Sequence, residues 1–359
     1  MQNGNEHESA QSRRGGRRSA LALIAIVAAA GTVGIVISVG PHRLPIPPVP
    51  TALVPLRVTP SPIPAEPEVG ASFAVADDLA THDVVLFGGQ DDGNNTWLWN
   101  GSSWTLAHPQ VSPSGRFGAS GAYDPNTKTV LIFGGRTEDG VAVNDTWSWN
   151  GVTWNEVDFG ASGPAAGEGS DMAWDPAQQQ MVLVIGLAGT GSGATWVWTG
   201  SHWRRPPAGN LPGAWFYSPM SSDPATGALT AVGCCSGVPS PTDAVDSTWR
   251  WDGSAWRQVD TATPAPLDAS TMALDPSRGR LVLCTCGYSQ PAEPELAGWT
   301  GRSWVAMPTA SLPVRGGIEI TDTDRGQLLL LGSPLAGATS NPVPVEVWLL
   351  SGSSWGRIG

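Results

Sequence analysis

The chain has 359 residues and a formal net charge of −12; only 14% of its residues are charged, while Gly (45), Pro (32) and Trp (18) are abundant. That balance argues against long solvated helices and suits many short strands joined by tight turns, which β-rich barrels and propellers of this length build as one unit. Beyond residue 40, once four arginines and two glutamates are set aside, 15 basic residues face 29 acidic ones, formally −14, so the surface repels phosphate backbones and nucleic-acid binding is not expected.

Residues 1–19 form a short tail containing Arg13, Arg14, Arg17 and Arg18. From Ala20 to Val39 the chain is uncharged and predominantly apolar, about the 20 residues that a helix needs to cross a bilayer. Arginines before it favour a signal-anchor with a cytoplasmic N-terminus and an exported C-terminal part. The competing reading is a cleaved signal peptide, whose apolar region is typically about 7–15 residues. Between Pro41 and Pro67 there are ten prolines in 27 residues, and this predicts an extended spacer over 40–69.

From residue 70 onward one unit recurs six times, clearest between Gly115 and Val157. It begins with an alternating strand that ends in aspartate: Asp78, Asp124, Asp175, Asp223, Asp275 and Asp322. Four of these precede proline, a combination that starts type I turns. About ten residues on, an apolar strand runs into a pair of small residues, as in VVLFGG and VLIFGG. A third strand carries Trp at alternate positions, as at Trp97 and Trp99. Last comes a Gly-containing turn followed by Trp104, Trp154, Trp203, Trp256, Trp304 or Trp355, spaced 48 to 53 residues apart. Sixteen of the eighteen tryptophans fall on repeat positions, which leaves Trp174 and Trp215.

Four short strands cannot bury both faces of their own sheet, so six such units are expected to stack radially. The predicted fold is all-β, a six-bladed propeller of four-stranded antiparallel blades, preceded by one transmembrane helix. Blades are expected at about 70–113, 114–160, 161–208, 209–262, 263–309 and 310–359. The tryptophans then pack between blades. Phe87-Gly88-Gly89, Phe133-Gly134-Gly135, the Arg116 to Ala119 opening and the downstream Trp resemble kelch repeats, which also build the central domain of galactose oxidase. That resemblance implies a copper site of two His and two Tyr, but His82, His108 and His202 are scattered here, as are Tyr123, Tyr217 and Tyr288. No oxidase activity, cofactor or metal is expected from so dispersed a set.

Cys234 and Cys235 fall in the fourth unit, Cys284 and Cys286 in the fifth. Export favours disulfides. Strand alternation points to an inter-blade bond of Cys235 with Cys286 or Cys284; free thiols and a soft-metal site are the alternatives.

Antiparallel meanders put the turns between the first and second, and third and fourth, strands on one face. The longer loops and the crossovers between units lie on the other. Recognition normally sits on variable loops above a rigid scaffold. The loop face therefore carries the candidate binding residues Arg116, Glu168, Trp215, Asp268 and Arg315 at the channel mouth, with Arg136 on the loop beside them; the alternative role is to hydrogen-bond neighbouring crossovers. The expected function is a monomeric, membrane-tethered extracellular module that binds a protein or a glycan. A carbohydrate-active enzyme and a structural envelope component are the alternatives.

Overall fold

The computed structural model describes Ile24–Ala29, Thr32–Ile37 and residues 66–359 apart from 69–71, 91, 158–162, 168, 188–191, 208–209, 213–218, 235–245, 261–270, 286–295, 309–311 and 335–343. The chain divides into two units, Met1–Ile63 and Pro64–Gly359.

In the first unit Ile24–Ala29 and Thr32–Ile37 form an antiparallel hairpin, where the sequence predicts a spanning helix. No helix among the described residues is long and apolar enough to cross a membrane. The physical reason for the difference is local: Ile24, Ile26, Val27, Val33, Ile35, Val36 and Ile37 are β-branched, and such side chains favour strands where no lipid imposes a helix.

In the second unit six antiparallel meanders follow one another, each keeping its sequence order in space. Blade 1 consists of strands A to D, Ala74–Asp78, Asp83–Phe87, Thr96–Trp99 and Trp104–Ala107. The A strands of blades 2 to 6 are Ser120–Asp124, Ser170–Asp175, Met220–Ser222, Thr271–Asp275 and Val314–Asp322. Blade 3 gains Asn210–Pro212 as an extra strand on its C strand, Ser192–Trp198. Neighbouring A strands pack in sequence order and the sixth packs on the first. The ring is therefore an all-β, six-bladed propeller in which no blade is split.

Its seam is held by the two ends of the unit. The Val345 amide donates to the Pro67 carbonyl (2.8 Å), and Gly359, whose carbonyl receives the Val347 amide of its own blade (2.9 Å), lies against the Trp99 ring of blade 1.

The repeated aspartate works within each blade. All six turn aspartates are at most 2% exposed. Their carboxylates accept backbone N–H groups of the turn, from Ala80, Asn126, Ala177, Ala225, Ser277 and Arg325, at 2.9 to 3.1 Å. The turn then reaches the next blade. A Cβ on Gly101 (φ +93°) would strike the Arg325 guanidinium, and one on Gly253 (φ +93°) the Gln178 side chain. Glycine is required there both for its left-handed backbone and for the space.

The repeated tryptophan works between blades. Trp154 Nε1 donates to Thr96 Oγ1 of the preceding blade at 2.9 Å, Trp203 to Thr146 at 2.9 Å, Trp256 to Thr195 at 2.9 Å and Trp304 to Thr248 at 2.8 Å. Each donor ring also leans on the second Trp of its own C strand, as in Trp149–Trp154 with centroids 5.4 Å apart. At the two remaining joints the threonine is replaced by Leu296 or Val347, and the facing indoles of Trp355 and Trp104 have no acceptor.

Cys284 is fully buried and disulfide-bonded. It packs with Leu312, Val314, Leu328 and Leu330 of blade 6, so it faces away from blade 4, the reverse of the facing that alternation suggested. Cys235, Cys286 and the Cys234 side chain lie outside the described residues.

The indole bonds give a paired prediction. Thr146→Val strands a buried N–H and should destabilise the propeller by about 1–3 kcal/mol in urea denaturation. Val347→Thr supplies the acceptor that Trp104 lacks and should stabilise it by about 1 kcal/mol. No change in either variant would show that the bonds carry no net stability.

Candidate functional site

Around the axis the six A strands wall a cavity of about 640 Å3. Aligned on the turn aspartates, the strands place equivalent residues in tiers. Two positions before the aspartate stand Ala76, Ala122, Ala173, Ser221, Ala273 and Ile320, mostly small residues that keep the bore open. One position before it, at the turn face, stand Asp77, Tyr123, Trp174, Ser222, Leu274 and Thr321. Hydroxyls tie this tier together: Ser222 Oγ donates to the Trp174 carbonyl (2.6 Å) and Thr321 Oγ1 to the Leu274 carbonyl (2.8 Å).

Among the described residues that line the cavity are three carboxyls, Asp77, Asp171 and Glu319, and no lysine, arginine or histidine. Burial pushes Asp77 up to about 6, against the Thr323 hydroxyl and amide that hydrogen-bond to it and with the help of the Asp322 and Asp324 charges. Asp171 opens onto the channel while lying deep in the protein, and burial pushes it up to about 7. Its oxygens accept the Met172 amide at 2.8 Å and the Met220 amide of blade 4 at 2.6 Å. Glu319 is 4% exposed, and neither of its carboxylate oxygens has a well-formed hydrogen bond. Burial pushes it well above the usual carboxylate range, the Asp275 charge adds to this, and the Cys284 amide offsets it in part.

The loop face is built differently from the expectation. Arg116–Phe117 pairs with Arg136–Thr137 in a two-stranded ladder, so the sequence-predicted Arg116 and Arg136 are brought together. Arg116 is not a free channel-mouth cation, however: it is 1% exposed and its guanidinium clasps Asp145 through two bonds, at 2.5 and 2.8 Å. It also donates to the Ser114 and Gly134 carbonyls and to Ser114 Oγ. Burial would raise Asp145, but the hydrogen bond and charge of Arg116, with the Trp147 indole, hold it below the usual range. The Arg116 carbonyl receives the Gly89 amide of blade 1 at 2.9 Å, and a Cβ on Gly88 would strike that oxygen. Arg116 is thus a pin between crossover and blade.

Arg136 donates to the Gly140 carbonyl at 2.5 Å. Arg315 pairs with Ser333 through the backbone; its side chain, and Glu168, Trp215 and Asp268 entirely, lie outside the described residues. Asp77, Asp171 and Glu319 went unnamed in the sequence, and Tyr123 figured there only among the scattered tyrosines. Their signal was positional, Asp77 and Tyr123 standing one residue before a turn aspartate, Glu319 three and Asp171 four, and Trp174 was already conspicuous as a tryptophan outside the repeat.

No protein-family model matches the chain, and no curated protein matches it in sequence. Solved structures do match in three dimensions. YjhT superposes with a TM-score of 0.56 at 12% identity, over 82% of this chain and 99% of its own. A fucose-specific lectin from Aleuria aurantia gives 0.54 at 14%, over 80% and 94%. SapL1 lectin, solved with alpha methyl fucoside, gives 0.51 at 13%, over 82% and 96%. The likeness is one of fold. It covers the propeller and is not specific to kelch repeats or galactose oxidase.

Two predictions rest on these side chains. Arg116→Ala leaves Asp145 without its counter-charge and should cost about 3 kcal/mol in denaturant unfolding; unchanged stability would return Arg116 to the ligand-binding candidates. The raised carboxyls set a pH dependence. A carboxyl whose folded pKa lies above its unfolded value binds an extra proton in the folded state, so its stabilising effect is full below about pH 4 and is lost as pH rises through the folded value. For Asp77 and Asp171 that loss runs up to about 6 and about 7. Asp171→Asn should therefore flatten the fall in Tm between pH 5 and pH 8 (an assay window of roughly three pH units, chosen to bracket both values), and a parallel shift of the whole curve would count against it.

Proposed function

We propose that the chain is a membrane-tethered, exported binding module whose propeller recognises a glycan through the face bearing the long loops. The observation that carries this reading is a closed six-bladed ring superposing on the Aleuria aurantia lectin and SapL1 over four-fifths of this chain, with 80% and 82% covered. Those two proteins are lectins by description, and a rigid ring presenting irregular loops suits recognition better than chemistry. The kelch-like opening and diglycine belong to the same proposal, as devices that let a crossover approach the preceding blade closely. The apolar run from Ala20 to Val39 supplies the tether and the Pro-rich segment the spacer.

Printed glycans probed with the full-length chain in detergent test the reading. Retention on a restricted set of glycans, competed by the free sugar, is the expected outcome. Uniform absence of retention across the array, with the chain shown to be folded, overturns it.

A further inference from the structure

We propose that the turn-face mouth of the central channel binds a small organic cation, with an alkylammonium group seated against Tyr123 and Trp174 and Asp77 as its counter-charge. This site lies at the end of the ring opposite the long loops and does not depend on the glycan reading.

Three independent features point to it. The first is composition at one register position. Asp77, Tyr123 and Trp174 belong to three consecutive blades and occupy the same place before the turn aspartate, so the fold sets a carboxylate and two aromatic rings side by side on one arc of the rim. Aromatic faces attract cations, most strongly where water is partly excluded, and all three side chains are half-buried.

The second is uncompensated charge. Three arginines of this face are already engaged: Arg325 holds Asp322 and the Asn100 carbonyl, Arg278 holds Asp275 and the Gly352 carbonyl, and Arg250 reaches Asp223 and the Gly301 carbonyl at 3.5 Å. His82 pairs with Asp324 at 2.7 Å. None is aimed at Asp77, whose hydrogen bonds come from neutral donors, the Thr323 amide at 2.9 Å and the Thr323 hydroxyl, so its charge has no counter-charge among these groups. The Tyr123 phenol is correspondingly pushed up, by burial first and then by Asp78, Asp124 and Asp77, which marks the rim as negative.

The third is depth. Behind the rim the cavity of about 640 Å3 lies within the range that holds small ligands, and its wall continues acidic through Asp171 and Glu319 with no basic side chain among the described residues. Glu319, buried without a well-formed hydrogen bond, is a group that a donor entering the channel would satisfy.

Calorimetric titration of the full-length chain in detergent, at low salt, with choline and with its uncharged carbon isostere 3,3-dimethylbutan-1-ol tests the site. Choline should bind and the isostere should bind at least about tenfold more weakly, since shape is shared and only charge differs. Asp77→Asn keeps an oxygen for the Thr323 amide and should weaken choline about threefold to thirtyfold, as should Trp174→Leu. Equal affinity for the two compounds, no heat with choline, or choline binding indifferent to both Asp77→Asn and Trp174→Leu overturns the proposal. The first comparison uses the unaltered chain, so it stands whatever the variants do to folding. Glycan retention should be the same in Asp77→Asn as in the parent chain, which separates this site from the loop-face reading.

Discussion

An indole N–H reaching across to a threonine hydroxyl is the contact around which the propeller is arranged. A lone four-stranded sheet exposes two apolar faces, and each blade here covers a face of its neighbour. Dispersion and area burial favour that stacking without fixing its register, because apolar surfaces slide at little cost. The bond from the outer strand of one blade to the third strand of the preceding one, as in Trp203 to Thr146, fixes angle and height together. Once these are set, the turn glycines, the turn aspartates and the rim of the channel fall at constant offsets around the axis.

Blade 6 departs from this rule on both sides. Leu296 and Val347 stand where the other joints have threonine, so neither of its joints carries the indole bond. Other contacts take over: a leucine-rich second strand, Leu328 to Leu331, is fully buried, and Arg278 and Arg325 link the turns across both joints. Glu319 occupies a tier where three other blades have Met172, Met220 and Met272. Burying a carboxyl in place of methionine is costly unless it stays protonated or finds a donor.

The fold was legible because its signals are periodic. Tryptophan spacing, the turn aspartate and the Gly-Trp turn each report a backbone requirement that recurs, and repetition multiplies a weak local preference into a firm one. The candidate site was much less legible, for the opposite reason. Arg116 reads as an exposed cation at a strand start, yet its partner Asp145 lies 29 residues away in sequence, and nothing local announces that pair. Asp77, Tyr123 and Trp174 share a register position but no residue type, so a search for repetition passes over them. Their common feature emerges only when the ring brings positions about 50 residues apart onto one rim. The N-terminal segment shows a different limit: an apolar, β-branched run is compatible with a helix in lipid and with a hairpin, and composition alone does not choose.

The seam between blades 1 and 6 has a mechanical consequence. In this ring no strand is shared between the ends, and closure rests on the Pro67 carbonyl, on the contacts of Thr323 and Arg325 with blade 1 and on the apolar joint behind them. The unit begins at Pro64, so the Pro67 bond is the first point at which the entering chain is held by blade 6. Loss of that one bond would leave the contacts of Thr323 and Arg325, the apolar joint and the other five joints in place. The ring is in this sense a clasp fastened at several small points rather than a hoop welded by a common strand.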